Sequence, residues 1–361
     1  MDDRKQRIDE LVEQLNQHAY RYYTLDSPTI SDAEYDALYD ELTALEAETG
    51  YVRADSPTRR VGGDVLPGFE KQAHLNPLYS LDKVRTPEEL AAWEQRAKKI
   101  ADEPYTYVVE YKYDGLTVNL RYEGGLLISA ATRGDGSVGE VITRQVMTIP
   151  TVPLSIPYKG LLEVQGEGIM RLSQLEKYNE TADEPLKNAR NAAAGALRNL
   201  DPAETARRKL SLVCYGVGYK DGAPLTSHRE MLEFLRENHF PVSDFAVTAY
   251  SLDEVMAAVK EAEKNRGSLD FLIDGAVIKI DSYAVRERLG FTQKFPRWAV
   301  AYKFAAVEKT TTLLDVIWQV GRTGKLTPGA VLEPVDIGGV SVSRATLNNM
   351  GDIRRKGVKV P

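Results

Sequence analysis

At 361 residues, 43% apolar and 27% charged, the chain has the size of two or three domains and the composition of a soluble globular protein. No run approaches the roughly 18–20 apolar residues of a membrane span, and the opening MDDRKQRIDE lacks the apolar core of a secretory signal. The lone cysteine, Cys214, excludes an intrachain disulfide and a multi-cysteine zinc site here, and the net charge of −7 offers no bulk attraction to nucleic acid or anionic lipid.

Charge is unevenly placed. Residues 1–70 hold 7 Lys/Arg against 16 Asp/Glu, whereas 303–361 hold 9 against 5, so the two ends read as modules with different partners. In chain order, Ile8, Leu11, Val12 and Leu15 mark one face of a first helix. A second starts at Ser31, where Glu34 completes a capping box behind Pro28 and Leu38, Leu42 and Leu45 supply the apolar stripe. The segment VGGDVLPGF (61–69) predicts a linker. From about residue 105 come short strands: YTYVVEYKY (105–113), LTVNLRY (116–122), LLISAAT (126–132) and LLEVQGE (161–167). Helical stretches interrupt them near 86–101, 187–199, 226–238 and 252–266, a mixture that predicts an α+β fold with antiparallel meanders. After about residue 306 only strands and turns remain, the pattern of an opening β-barrel.

Three of these strands carry a lysine where an interior residue is expected. Alternation puts Glu110, Lys112 and Asp114 on one face with Leu116 and Val118; Lys279 shares a face with Val277, and Lys303 with Ala301. One such lysine ordinarily sits on an edge strand with its head in water. Three in one domain call for an anionic answer, because a buried ammonium is costly unless paired, and a polyphosphate ligand would satisfy all three. The helix KNARNAAAGALRNLDP (187–202) adds Arg190 and Arg198, eight residues apart and so on similar sides, with alanines between them that permit close packing. GDGSVG (134–139) matches a dinucleotide-binding turn, yet it comes after two strands instead of opening a βαβ unit, and the proline-broken TIPTVPLSIP comes next.

One series of motifs, in this order, resembles that of the covalent nucleotidyltransferases. It runs SLD (80–82), EYKYDG (110–115), TRGDGSVGE (132–140), EVQGE (163–167), NARNAAAGALRNLDP (188–202), CYG (214–216), IDGAVIKI (273–280), PRWAVAYKF (296–304) and VGRTG (320–324). The specific resemblance is to bacterial NAD-dependent DNA ligases, whose N-terminal cap is similar to YYTLDSPTISDAEYDALYDEL (22–42), and it covers essentially the whole chain. It implies a helical cap over 1–69 that binds nicotinamide mononucleotide (NMN) and an ATP-grasp-like adenylation domain over 70–306. Residues 307–361 would be the incomplete start of an oligonucleotide-binding (OB) barrel. It also implies NAD as substrate, magnesium as cofactor, nicked double-stranded DNA as partner, and a monomer in the bacterial cytoplasm.

By the same resemblance Lys112 is the nucleophile that attacks the α-phosphorus of NAD, with Asp114, Lys279 and Lys303 beside it in catalysis. A neutral amine is needed; the neighbouring cations Lys279 and Lys303 favour one, and Glu110 and Asp114 push the other way. Glu110, Ser80 and Leu81 would contact adenosine, and Tyr215 would stack on adenine. Arg133, Glu167, Arg190, Arg266, Lys279 and Lys303 would surround ribose and phosphates. Tyr22, Tyr23, Asp32, Tyr35 and Asp36 match the NMN site, and Arg198 and Arg322 match DNA-facing positions. Asp114, Glu167 and Asp274 are the carboxylates suited to magnesium, with no direct ligand assigned. Four positions depart from the family pattern: Gln165 stands for arginine, Ala305 for proline, Asn348 for histidine, and Tyr23 for the histidine of some relatives, which keeps an aromatic face. The family's zinc module, helix-hairpin-helix region and BRCT domain are absent from these residues, so the resemblance implies self-adenylation with weak DNA binding and poor sealing. Three alternatives remain open at this level: an ATP-using ligase or capping enzyme, which would survive deletion of 1–70; a silent NAD-binding module; and an oxidoreductase built on GDGSVG.

Overall fold

A computed structural model describes residues 3–60, 66, 68–305, 309–320, 324, 326–337, 340–355 and 357. Helix α1 (Asp3–Tyr23) buries Ile8, Leu11, Val12 and Leu15 completely, the face that the sequence period marks, against Leu42 of α2 (Asp32–Thr49). Ser31 caps α2 with both bonds of the capping box, and Gly50 ends it at φ 67°, a left-handed conformation that glycine adopts freely. Arg7 clamps the pair through two bonds to Glu41, at 2.7 and 2.9 Å. A 3₁₀ turn, Pro57–Arg60, then delivers the Arg60 guanidinium to the carbonyls of Ile149 (2.9 Å) and Val152 (2.8 Å). These two bonds tie the cap to the adjoining domain. Most of the expected linker (residues 61–65 and 67) lies outside the described residues.

Beyond it run β1 (Lys71–Ala73), β2 (Asp82–Val84), α3 (Pro87–Lys98), β3 (Tyr107–Tyr113), β4 (Leu116–Glu123), β5 (Leu126–Thr132), β6 (Val138–Glu140) and α4 (Thr143–Met147). Next come β7 (Leu162–Ile169), α5 (Leu172–Asn179), α6 (Ala189–Leu197), α7 (Pro202–Arg207), β8 (Ser211–Lys220), α8 (His228–Glu237) and β9 (Ala246–Ala249). The unit closes with α9 (Leu252–Asn265), β10 (Ile273–Ile280), α10 (Tyr283–Leu289) and β11 (Ala299–Lys303). Two larger sheets organise it. One has the order β2-β11-β10-β3-β9 and the other β5-β4-β7-β8. All their pairings are antiparallel except β11 with β2, the one parallel neighbour in a design read from sequence as antiparallel.

Each large sheet has its own core. Val109, Ile278 and Val300 of the first pack with Trp93 of α3 and Val255 of α9. Val118, Leu120 and Val164 of the second pack with Ala192, Ala193 and Ala196, the alanines that let α6 lie close to the sheet. Each fully buried Val, Leu or Ile contributes about 1.5–3 kcal/mol relative to exposure.

The residues from Ala305 onward form a separate unit. It contains β12 (Leu313–Val320), β13 (Leu326–Ile337), β14 (Val340–Thr346) and α11 (Met350–Arg355), with the three strands joined in an antiparallel sheet. No barrel closes among the described residues. Asn348, a departure from the family pattern, sits at φ 61°, which asparagine tolerates better than most residues. No described helix is long and apolar enough to cross a membrane.

Candidate active site

Strands β3, β10 and β11 are direct neighbours, and the register brings their odd lysines together. Gly275 of β10 pairs with Lys112 on one side and Lys303 on the other; Val277 pairs with Glu110 and Ala301; Lys279 pairs with Val108 and Ala299. Directly paired residues share a face, so all three lysines and Glu110 project from one side of the sheet. They line a single cavity of about 810 Å³ together with Ser80, Leu81, Arg133, Glu167 and Tyr215. Alternation places Glu110, Lys112, Lys279 and Lys303 correctly, whereas Leu116 and Val118, expected on the face of Lys112, lie on β4 of the other sheet and pack with its core.

Two carboxylates divide the cations. The register of β10 shifts between Ile273 and Gly275, leaving Asp274 as the extra residue of a bulge, which re-aims its side chain. Its carboxylate lies 3.2 Å from Lys112 Nζ and also bonds Lys303 Nζ. Gly275 makes this approach possible, because a Cβ there would stand 2.2 Å from the Tyr302 carbonyl. Burial lowers the Lys303 ammonium from its ordinary value, and the nearby Lys112 adds to that against the pull of Asp274.

Deeper in the cavity, Glu110 Oε2 accepts from Lys279 Nζ at 2.7 Å and from His228 Nε2 at 2.8 Å. Burial alone would raise this carboxyl, but Lys279 and His228 outweigh it and bring it down to about 2. Burial lowers both Lys279 and His228, the latter to about 4. His228 opens α8, whose start is held by a backbone bond from His228 N–H to the Asp281 carbonyl at 2.9 Å. Lys279 also donates to the Tyr215 carbonyl at 3.0 Å and lies 5.4 Å from the centre of its ring.

The outer residues surround this core. Arg133 donates to the Ser80 hydroxyl at 3.0 Å. Arg190, at the start of α6, pairs with Asp114 at 2.8 Å, and burial raises that aspartate despite the arginine. Glu167, on β7, faces the Thr117 and Tyr215 hydroxyls at 3.3 and 3.4 Å, and burial pushes its carboxyl up to about 7 against the pull of Lys112. Gln165 stands in the cavity wall where the family pattern has arginine.

Several expected residues lie elsewhere. Arg266 ends α9, with its guanidinium over the Phe304 ring at 5.9 Å, and is not part of the cavity wall. Arg198 caps the C-terminus of α6 on the surface, and Arg322 lies outside the described residues. Tyr22, Tyr23, Asp32, Tyr35 and Asp36 gather on the cap beside Arg60, where burial pushes the Tyr35 phenol up to about 12. None of these five lines the lysine cavity. The GDGSVG segment begins no helix: it turns from β5 into β6, with the Asp135 carboxylate accepting from the Ser137 and Val138 amides, and is not a dinucleotide turn.

Sequence reasoning missed His228 and Arg286. Arg286 reaches the cavity from α10 between the rings of Tyr283 and Trp298, at 4.5 and 4.2 Å. A serine cap before His228 could have placed that residue at a helix start, but nothing local tied it to Glu110, 118 positions away.

Comparison with known proteins matches residues 66–307 to the NAD-dependent DNA ligase adenylation domain. Residues 1–62 match the DNA ligase-like, N-terminal NAD+-binding domain, and residues 310–361 the NAD-dependent DNA ligase OB-fold domain. Curated relatives include a DNA ligase of Alkaliphilus oremlandii, 58% identical over 98% of this chain and 54% of its own length. Another, from Alkaliphilus metalliredigens, is 56% identical over 99% of this chain and 54% of its own, and one from Finegoldia magna is 51% identical over 99% and 56%. The chain spans about half the length of these relatives.

Proposed function

Because the chain belongs to the NAD-dependent DNA ligase family, we propose that it adenylates itself with NAD and supplies the adenylate used to seal 5′-phosphate nicks in DNA. The observation that carries this reading is the convergence of Lys112, Lys279 and Lys303 from three adjacent strands on one cavity, with two carboxylates for three ammonium groups. That leaves net positive charge for a dinucleotide's phosphates.

The Lys112 Nζ lone pair attacks the α-phosphorus and forms an N–P bond. The P–O bond to the NMN phosphate breaks, NMN leaves with that electron pair, and the lysine loses its proton. Asp274 orients Lys112 before the attack, through the 3.2 Å ion pair, and Lys303 meets the phosphate charge that builds up as the bond breaks. Tyr215 offers a ring face to adenine, and Arg133 with Ser80 holds the ribose side. On the cap, Tyr22, Tyr23, Asp32, Tyr35 and Asp36 receive the NMN half. Arg198, on the surface at the end of α6, would meet the DNA backbone, a role the family resemblance also gives to Arg322.

Asp114 and Glu167, half-buried near Lys112, would offer magnesium hard oxygen donors, and phosphate oxygens of the dinucleotide would complete its ligands. When bound, it supplies charge neutralisation at those phosphates. The reading places the protein in the bacterial cytoplasm as a monomer, with domains over 1–69, 70–306 and 307–361. Incubation with adenylate-labelled NAD and magnesium, followed by mapping of the label, tests it. Label on Lys112, lost in both Lys112→Ala and Lys112→Arg, is expected, since arginine cannot act as a neutral amine. Label elsewhere, or none, would overturn it.

A further inference from the structure

We propose that the GDGSVG turn is a clasp for one wall of the cavity, and that His74, behind that wall, is the positioning residue that aims Arg133 at the ribose side of the dinucleotide. This rests on the reading that the cavity takes the AMP half of NAD. The wall in question runs from Leu78 to Leu81, between β1 and β2, and belongs to no helix or strand. Such a segment has no ladder to hold it, so its backbone groups need other partners.

The turn supplies them. β1 and β6 pair in a two-stranded sheet of their own. Just beyond it the His74 N–H donates to the Ser137 carbonyl at 2.9 Å, and the Leu78 N–H donates to the Gly136 carbonyl at 2.8 Å. Gly136 stands at φ 101°, and a Cβ there would lie 2.7 Å from the Leu78 carbonyl, so a larger residue would push turn and wall apart. Asp135 keeps the shape of the turn through its bonds to the Ser137 and Val138 amides. The likeness to a dinucleotide loop thus has a mechanical origin: the glycines admit a close backbone approach, and what approaches is the protein's own chain.

His74 ties this clasp to the second large sheet. Its Nδ1 lies 3.1 Å from Asn119 Nδ2 of β4, and its Nε2 lies 3.1 Å from the Arg133 carbonyl. An amide N–H2 only donates, so Nδ1 accepts, and Nε2 carries the ring proton that is donated to Arg133. Asn119 is fully buried and makes a fixed anchor. Arg133 is exposed, with its guanidinium on the Ser80 hydroxyl at 3.0 Å. A long exposed side chain loses freedom when a ligand immobilises it, and fixing its backbone beforehand lowers that cost. The bridge from Asn119 through His74 to Arg133 does this, although His74 itself is not part of the cavity wall.

The test uses the full chain and measures kcat and KM for labelling of Lys112 with NAD, together with the melting temperature, in His74→Asn and His74→Gln. Asparagine places an amide at the Nδ1 position, where its oxygen still accepts from Asn119 but nothing reaches the Arg133 carbonyl. Glutamine places an N–H2 where Nε2 lies, so it keeps the bond to Arg133 and leaves the buried Asn119 amide without its acceptor. The asparagine variant should melt with the parent yet show a KM for NAD raised about tenfold, with kcat within about threefold. The glutamine variant should melt lower yet keep KM within about threefold of the parent. A KM that rises in both variants in step with lost stability, or that is unchanged in the asparagine variant, would overturn the proposal while leaving the adenylation reading intact. Failure of the parent to label Lys112 with NAD would overturn that reading first and this one with it.

Discussion

Replacing Glu167 with glutamine is expected to stabilise the protein at alkaline pH and to leave it unchanged in acid. The carboxyl is raised from 4.5 to about 7 because burial disfavours its charge more than Lys112 favours it. Between those two values the folded state holds more protons than the unfolded one, so stability falls as pH climbs through that window. Below 4.5 both states are protonated and the cost vanishes; above 7 it is fully present. At about 1.4 kcal/mol per tenfold in proton affinity, the penalty is about 3 kcal/mol, a ceiling because the group is partly open to the cavity. Glutamine keeps the shape and an acceptor for Thr117 and Tyr215 but has no charge to bury. Urea unfolding of both proteins at pH 5, 6, 7 and 8.5 reads the difference directly. The gap should be small at pH 5 and widest at pH 8.5. A gap that does not vary with pH, or a glutamine protein weaker at pH 8.5, would refute the reasoning.

The same geometry sets three further expectations. Lys279→Met leaves Glu110 buried without its cation and should cost about 3–5 kcal/mol in chemical denaturation, most of it recovered by adding Glu110→Gln. Recovery of none would mean that the methionine fails for reasons of shape. Gly275→Ala drives a Cβ into the Tyr302 carbonyl between the two lysine-bearing strands, so it should abolish labelling of Lys112 and lower the melting temperature together. Normal labelling would show that the β10–β11 spacing is not needed. In a complete ligase, Tyr22→Ala and Asp36→Ala should block reaction with NAD yet spare sealing of a nick that already carries AMP. Equal loss of both activities would point to a structural role for that part of the cap.

What could be read from sequence was what alternation and capping report. Lys112, Lys279 and Lys303 announced themselves because each breaks an apolar strand on the face that also holds a small or acidic neighbour. Ser31 and Glu34 announced α2 for the same kind of local reason. The partners of those lysines were less visible. Asp274 works from a bulge, which has no period to detect, and His228 meets Glu110 only because α8 docks on the end of β10. The short helices α4, α5, α7 and α10 are five to eight residues each, too brief for a 3.6-residue period to stand out. Arg266 was assigned to the phosphates by resemblance, yet its guanidinium lies over Phe304 instead of in the cavity wall.

The strand order β11-β10-β3 also sets a timetable for the ribosome. Lys112 leaves the exit tunnel long before Lys279 and Lys303, yet its strand is bordered by β10, paired from Ile273 onward. Until that pairing forms, Glu110 has neither Lys279 nor its docked histidine, and a carboxylate in that position resists being covered. The loop that must close between residues 113 and 273 is long, and its closure entropy has to be met before any contact rewards it. Burying Glu110 is therefore costly until β10 has brought Lys279 beside it. A nascent chain can pair β4 with β5 and β7 early, but Lys112 gains the neighbours that surround it only when β10 and β11 arrive.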